Sequence, residues 1–338
     1  MAVRSRIKLW SIGGGKGGIG KSIFTLGLGI CLAGLGKKVI LIDGDLGGAN
    51  LHTLMGVRFP DKTLEDFLLR KVSRLEDTVL ETDISGIGLI CGADDILGAA
   101  NPTYSQKIRL LKQIEDLPAD FILLDLGAGT SFNTLDLFNY SPGKITLFTS
   151  QTTSLQNAYG FIKSALYRKL AREFSSDDDV LQLLYQVGGK SEEVQLNSIR
   201  DLLTRLQLTA PAKHLQVLQF LEDFLVFLVV NMVKNDQDLR APEIIQAVCS
   251  DFLSIQPQVL GDLAYDTQVE QAVNQMKPLW LHQKKSKVTV GLDRVARRLL
   301  VLCRIACRLA EPSPAPEGET QEKEPRPALP EALLAQPN

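Results

Sequence analysis

The run Gly14-Gly15-Lys16-Gly17-Gly18-Ile19-Gly20-Lys21-Ser22 holds the residue types that grip phosphate, at the spacing that task requires. From Gly15 to Ser22 it fits the pattern GxxxxGK followed by a hydroxyl residue. Glycines let backbone N–H groups turn inward around phosphate oxygens, and a helix starting at the end of the loop adds its partial positive charge. In that arrangement Gly15, Lys16, Gly17, Gly18, Ile19, Gly20 and Ile23 line the anion. Lys21 neutralises β- and γ-phosphates, and Ser22 offers a hydroxyl to Mg²⁺. The plain alternative is a glycine-rich turn with chance lysines, which its place between a strand and a helix argues against.

Carboxylates stand where such a loop would use them. Asp43 and Asp45 open the stretch Asp43-Gly44-Asp45-Leu46-Gly47-Gly48-Ala49-Asn50-Leu51, just past an apolar run. Residues at i and i+2 leaving a strand point the same way, so both acids can face one site. A solvated turn is the alternative for this pair. Asp125 closes the buried run Phe121-Ile122-Leu123-Leu124 and precedes the glycine-rich turn Gly127-Ala128-Gly129. Asn231 ends the strand-like Val229-Val230-Asn231-Met232-Val233. Its amide can both donate to and accept from a nucleobase edge, or it can simply end a strand.

Positioning these groups requires an alternation of strands and helices, the signature of a mostly parallel α/β sheet flanked by helices. Strands are expected at 7–12, 38–42, 86–91, 121–124, 144–150, 224–233 and 258–263. Helices are expected at 21–33, 105–115, 158–174, 242–252 and 268–276. Between about 175 and 223 two polar breaks, Ser175–Asp179 and Gly188–Lys190, flank helix-periodic stretches at 180–185 and 194–206, which reads as a helical insertion. A last helix over 292–309 would end the phosphate-loop domain, residues 1–311. The remainder, 312–338, carries seven of the chain's 15 prolines and is expected to be disordered.

Composition narrows the function classes. Lys and Arg number 37 against 39 Asp and Glu, a net charge of −2, so nucleic-acid binding by bulk charge is disfavoured. Five cysteines without a close CxxC pair argue against a disulfide framework and a four-thiolate metal site. Cys303 and Cys307 form the one close pair. The first thirty residues show no secretory signal, and 23–35 is too short and glycine-rich to span a bilayer. A reduced, cytoplasmic location is expected.

Lys16 adds a second lysine five residues before the first. The form GGKGGxGKS resembles the deviant Walker A motif of the MinD/ParA family of P-loop ATPases. The resemblance extends over most of 5–310 through Asp43–Leu51 and Phe121–Gly129. It implies a P-loop NTPase fold, ATP and Mg²⁺ as ligands, and an ATP-dependent homodimer in which Lys16 reaches the partner's phosphates. It implies that Asp43 and Asp125 lie near Mg²⁺, that Asp45 orients the attacking water, and that Asn231 reads adenine. Three positions depart from the family pattern: Gly127 and Ala264 replace prolines, and Ile23 replaces a hydroxyl residue. The segments DGDLGGANL and DLGAGTSFNTLDLF look like the MinD and FlhG/FleN branch. The first strand begins almost at Met1, so the N-terminal extension of some flagellar regulators is expected to be missing.

Three functions fit the resemblance: a switch that positions a division site or flagellum together with a protein activator, a DNA-partitioning ATPase, and an iron–sulfur carrier. The second needs a basic surface, for which Lys284, Lys285 and Lys287 are candidates. The last helix leaves a further choice open. Arg294, Arg297, Arg298, Arg304 and Arg308 gather on one side, with Leu292, Val295, Leu299, Leu302 and Ala306 opposite. Such a helix can contact an anionic membrane, or it can pack its apolar side on the body.

Overall fold

Strand β1 (Leu9–Gly13) lies deep in the sheet because all five of its residues, LWSIG, are buried. The structure, a computed structural model, describes residues 8–45, 47–92, 102–186, 198–275 and 286–310, with backbone alone for 104 and 305–310. Helix α1 (Lys21–Gly34) follows β1 through the glycine loop, and β2 (Val39–Gly44) returns parallel. Short helices α2 (Leu51–Leu54) and α3 (Leu64–Leu68) lead to β3 (Leu80–Glu81) and β4 (Ile87–Ile90). Next come α4 (Tyr104–Asp116), β5 (Phe121–Leu126), α5 (Phe132–Tyr140), β6 (Gly143–Thr149) and α6 (Thr152–Glu173). Three more helices, α7 (Asp178–Gln186), α8 (Ile199–Thr209) and α9 (Pro211–Asp223), precede β7 (Phe227–Val233). The chain continues through α10 (Ala241–Leu253), β8 (Gln258–Ala264), α11 (Thr267–Asn274) and α12 (Lys287–Ala310).

The sheet order is β3-β4-β2-β5-β1-β6-β7-β8, parallel except for the β3–β4 pair. Central strands are covered on both faces, which is why β2 and β5 read as unbroken apolar runs. Apolar residues sort by face into two cores. One holds Ile42, Leu124, Phe138, Phe161 and the helices α4 to α10. The other holds Leu41, Leu123, Phe24, Leu28 and the buried side of α12.

Several elements differ from expectation for identifiable reasons. The β7 strand starts at Phe227 rather than Phe224, since the Phe224 N–H still donates to Leu221 O at 3.2 Å and finishes α9. Helix α6 starts at Thr152 rather than 158, because its polar first turn is secured by Ser154, whose Oγ accepts from Thr149 N at 2.9 Å. Helix α5, which the sequence reading lacked, has Ser131 as its N-cap, accepting from Thr134 N. Strand β3 is only two residues long and antiparallel, below the reach of periodicity. The expected break at 188–190, the start of the 194–206 helix and the tail 312–338 lie outside the described residues, as do Ile7, Leu46, Met276, Lys284 and Lys285.

Helix α12 answers the question its sequence left open. Leu292, Val295, Ala296, Leu299 and Cys303 are buried against α1 and β8. The fit is close: a methyl group at Gly27 of α1 would stand 2.5 Å from Leu292 Cδ1. Arg298, though exposed, is tied to the edge strand, its Nη1 donating to Leu260 O at 2.9 Å. Of the two alternatives left open for 292–309, residues 292–303 take the packing one, their apolar side covering the sheet.

Candidate functional site

Parallel strands end together, so loops following their carboxyl ends share one edge of the sheet. The glycine loop after β1, Asp45 after β2, Gly127 after β5 and the ends of β7 and β8 all meet there. In the loop Gly18 and Gly20 hold φ of +76° and +86°, a left-handed backbone that admits glycine and turns successive N–H groups the same way. Its outer side is tightly packed, since a methyl group at Gly15 would fall 2.1 Å from Asn157 O on α6.

The two lysines of the loop diverge. Lys21 is buried beneath it, its Nζ donating to Lys16 O at 3.5 Å. Burial lowers the Lys21 pKa, while Asp125 and Asp45 pull it back up. Lys16, with exposed Gly17 and Gly18, faces outward and donates from Nζ to Thr153 Oγ1 at 3.4 Å.

Asp43 and Asp125 lie side by side across the β2–β5 ladder. Both are buried, and desolvation pushes their pKa values up, Asp43 to about 6 and Asp125 to about 7, the latter also repelled by Asp43. Asp43 accepts from the N–H groups of Asp45, Asn50 and Leu51 at 3.2, 2.8 and 3.0 Å. Asp125 accepts from the hydroxyls of Ser22 and Thr25, the latter at 3.2 Å. Two adjacent buried carboxylates, both with raised pKa, beside a serine hydroxyl, suit a hard divalent cation. Among the described residues no three His, Cys, Asp or Glu side chains cluster as ligands. Such a set fits Mg²⁺, which keeps several waters and takes phosphate oxygens rather than a full protein cage.

Asp45 lies against the turn after β5. A methyl group at Gly127 would stand 2.9 Å from Asp45 Oδ1, so the glycine that replaces the family's proline makes room for this carboxylate. Thr25 and Thr153 were missed by the sequence reading. Thr25 was legible as a hydroxyl one helical turn beyond Lys21 in an otherwise apolar helix, whereas the partner of Lys16 had no sequence signal.

A cavity of about 320 Å³ adjoins the loop, bounded by Gly20, Ile23, Asn231, Met232, Tyr265 and Asp266 among others. Its walls are largely apolar, which suits the flat face of a base. Asn231 stands at its rim but turns its amide toward the backbone: Nδ2 donates to Ile19 O at 2.8 Å, and Oδ1 accepts from Met232 N at 2.9 Å. Cys303 is buried in the core, and the Cys307 side chain lies outside the described residues. No helix among the described residues is long and apolar enough to cross a membrane.

Comparison with known proteins bears on the family and the fold. The antiactivator FleN of Pseudomonas aeruginosa is 28% identical over 159 residues, 46% of this chain and 56% of that one. The chain thus spans little more than half the length of that relative. The septum site-determining protein MinD of Synechocystis sp. is 25% identical over 295 residues, 84% of this chain and 86% of that one. The structure of the septum site-determining protein MinD from Pyrococcus horikoshii, complexed with Mg-ADP, shares the fold. Its TM-score is 0.57 at 20% identity, covering 88% of this chain and 98% of that one. Residues 10–279 match the CobQ/CobB/MinD/ParA nucleotide binding domain, and the chain belongs to that family.

Proposed function

We propose that the protein binds and hydrolyses Mg-ATP, and that ATP joins two copies into a switch that positions a division site or a flagellum. The observation that carries this reading is the divergence of Lys21 and Lys16. Lys21 lies inside its own cradle, while Lys16 is exposed and directed away from it. A cation placed that way serves a second subunit's phosphates, as an arginine finger does. One relative named a flagellum site-determining protein and another named a septum site-determining protein support the positioning role.

In this reading Lys21 and the loop N–H groups hold the β- and γ-phosphates. Ser22, Asp43 and Asp125 would hold Mg²⁺, which when bound neutralises charge on the phosphate oxygens. Asp45 orients a water for attack on the γ-phosphorus. The bond to the β–γ bridging oxygen breaks, giving ADP and phosphate, and the water proton passes to phosphate or Asp45. Asp45→Ala is expected to lower turnover by roughly 100-fold or more, with ATP affinity within about twofold of wild type. Turnover at the wild-type rate would remove Asp45 from this role.

Assembly provides the direct test. Sedimentation velocity with a slowly hydrolysed ATP analogue and Mg²⁺ is expected to show a dimer, and Lys16→Ala to show mostly monomer. A wild-type monomer under saturating analogue, with hydrolysis intact, would overturn the sandwich dimer. ATP-dependent, salt-sensitive binding to duplex DNA would instead favour a partitioning role.

A further inference from the structure

From Ile23 to Ile30, helix α1 holds apolar residues and glycines with one exception, Thr25. Thr25 is fully buried, so its hydroxyl has to find a partner inside the protein. Two acceptors lie within reach of Oγ1: Lys21 O at 3.0 Å, one helical turn back, and Asp125 Oδ1 at 3.2 Å, on β5. A hydroxyl carries one proton and can donate it to only one of them at a time. Lys21 O already receives an N–H from the helix ladder and has no need of the hydroxyl. Asp125 is buried too, and an ionised carboxylate draws a donor more strongly than a neutral carbonyl does. With Asp125 ionised, the proton goes to Asp125. Its other two supports stand at the phosphate loop: Ser22 donates a hydroxyl to it, and Lys21 favours its charged form. If Ser22 binds Mg²⁺ and Lys21 binds phosphate, both supports change with the ligand. Asp43, its neighbour across the β2–β5 ladder, repels it. Thr25 is sealed from solvent, so no ligand competes for its hydroxyl, and of the three supports it alone is the same in every state of the site.

We propose that Thr25 is a positioning residue: its hydroxyl fixes the rotation of the Asp125 carboxyl and so readies that group for Mg²⁺. The idea rests on the reading that Asp125 belongs to a Mg²⁺ site beside the phosphate loop. Without the hydroxyl, repulsion from Asp43 is free to turn the carboxyl away, and the cation meets a site that is no longer set. Phosphates held by the loop N–H groups and Lys21 do not feel that loss. The effect therefore falls on the coupling between Mg²⁺ and nucleotide, and leaves metal-free nucleotide binding alone.

The test uses the full chain and ADP, titrated calorimetrically with excess Mg²⁺ and again with EDTA. The ratio of the two affinities reads the coupling. Thr25→Val removes the hydroxyl and keeps the branched shape, while Thr25→Ser keeps the hydroxyl. In Thr25→Val the affinity in EDTA is expected to stay within about twofold of wild type, and the gain from Mg²⁺ to shrink by about fivefold or more. Thr25→Ser should restore most of that gain. An unchanged gain in Thr25→Val overturns the proposal, even if the melting temperature falls, because that is what a merely structural hydroxyl would show. An equal loss with and without Mg²⁺ overturns it as well, and so does a Thr25→Ser variant as impaired as Thr25→Val. Should Thr25→Val fail to fold, Thr25→Ala carries the same comparison. If Mg²⁺ adds nothing to ADP affinity in wild type, the metal reading itself fails and the proposal falls with it. A wild-type gain that persists in Thr25→Val removes Thr25 alone.

Discussion

A chain ended at Gly291 is expected to be unfolded or insoluble, rather than a working ATPase that has lost a membrane contact. Truncation removes Leu292, Val295, Ala296, Leu299 and Cys303, all buried, and uncovers the face of α1 and edge strand β8 beneath them. Burying a Leu or Val side chain contributes roughly 1.5–3 kcal/mol. Three such residues approach the whole net stability of a domain, about 5–15 kcal/mol. The loss also strips Arg298 from Leu260 O and Arg294 from Asp262, which it pairs at 3.3 Å. Circular dichroism and a thermal melt check this. Co-sedimentation of the full chain with anionic vesicles should not rise with ATP, because the side of α12 that would enter lipid is already occupied. A truncated chain that melts cooperatively near the wild-type temperature would show that α12 is an appendage.

Lys21→Ala is expected to weaken Mg-ATP binding by at least 100-fold, about 3 kcal/mol. The size follows from its setting. Lys21 is 8% exposed, and desolvation lowers its pKa, so its charge is poorly screened and a phosphate would gain strongly from it. Removal also takes from Asp125 the cation that favours its charged form. Calorimetry or fluorescent-nucleotide titration reads the loss, and unaltered affinity would mean that the phosphates lie elsewhere. Lys21→Ala and Asp45→Ala should therefore fail differently, the first in binding and the second in turnover.

Much of this was legible in the sequence, for physical reasons. The glycine loop has a short required spacing, and buried parallel strands such as Phe121–Leu126 announce themselves as apolar runs ending in an acid. Both lie close in the chain to the groups they position. What was not legible depends on distant partners. Nothing near Asn231 signals that its amide would reach Ile19, 212 residues away. Arg298 looked like one more solvated arginine because the carbonyl it caps belongs to another element. The departure at Gly127 was visible as a missing proline. Its meaning needed the position of Asp45, which comes from a different strand.

The placement of the two cores has a consequence for how this chain can change over generations. Helices α7, α8 and α9 pack only into the core shared with α4 to α6 and α10, whereas α1 and α12 pack into the other, with the sheet as a wall between them. Substitutions, or even added turns, on the outer side of α7 to α9 would be absorbed on their own side of that wall. The outer sides of α7, α8 and α9 are thus free to acquire new surfaces, while α1, pinned from behind by α12, has almost no such freedom. The outer surfaces of α7 to α9 and the α1–α12 pair thus lie on opposite faces of one sheet.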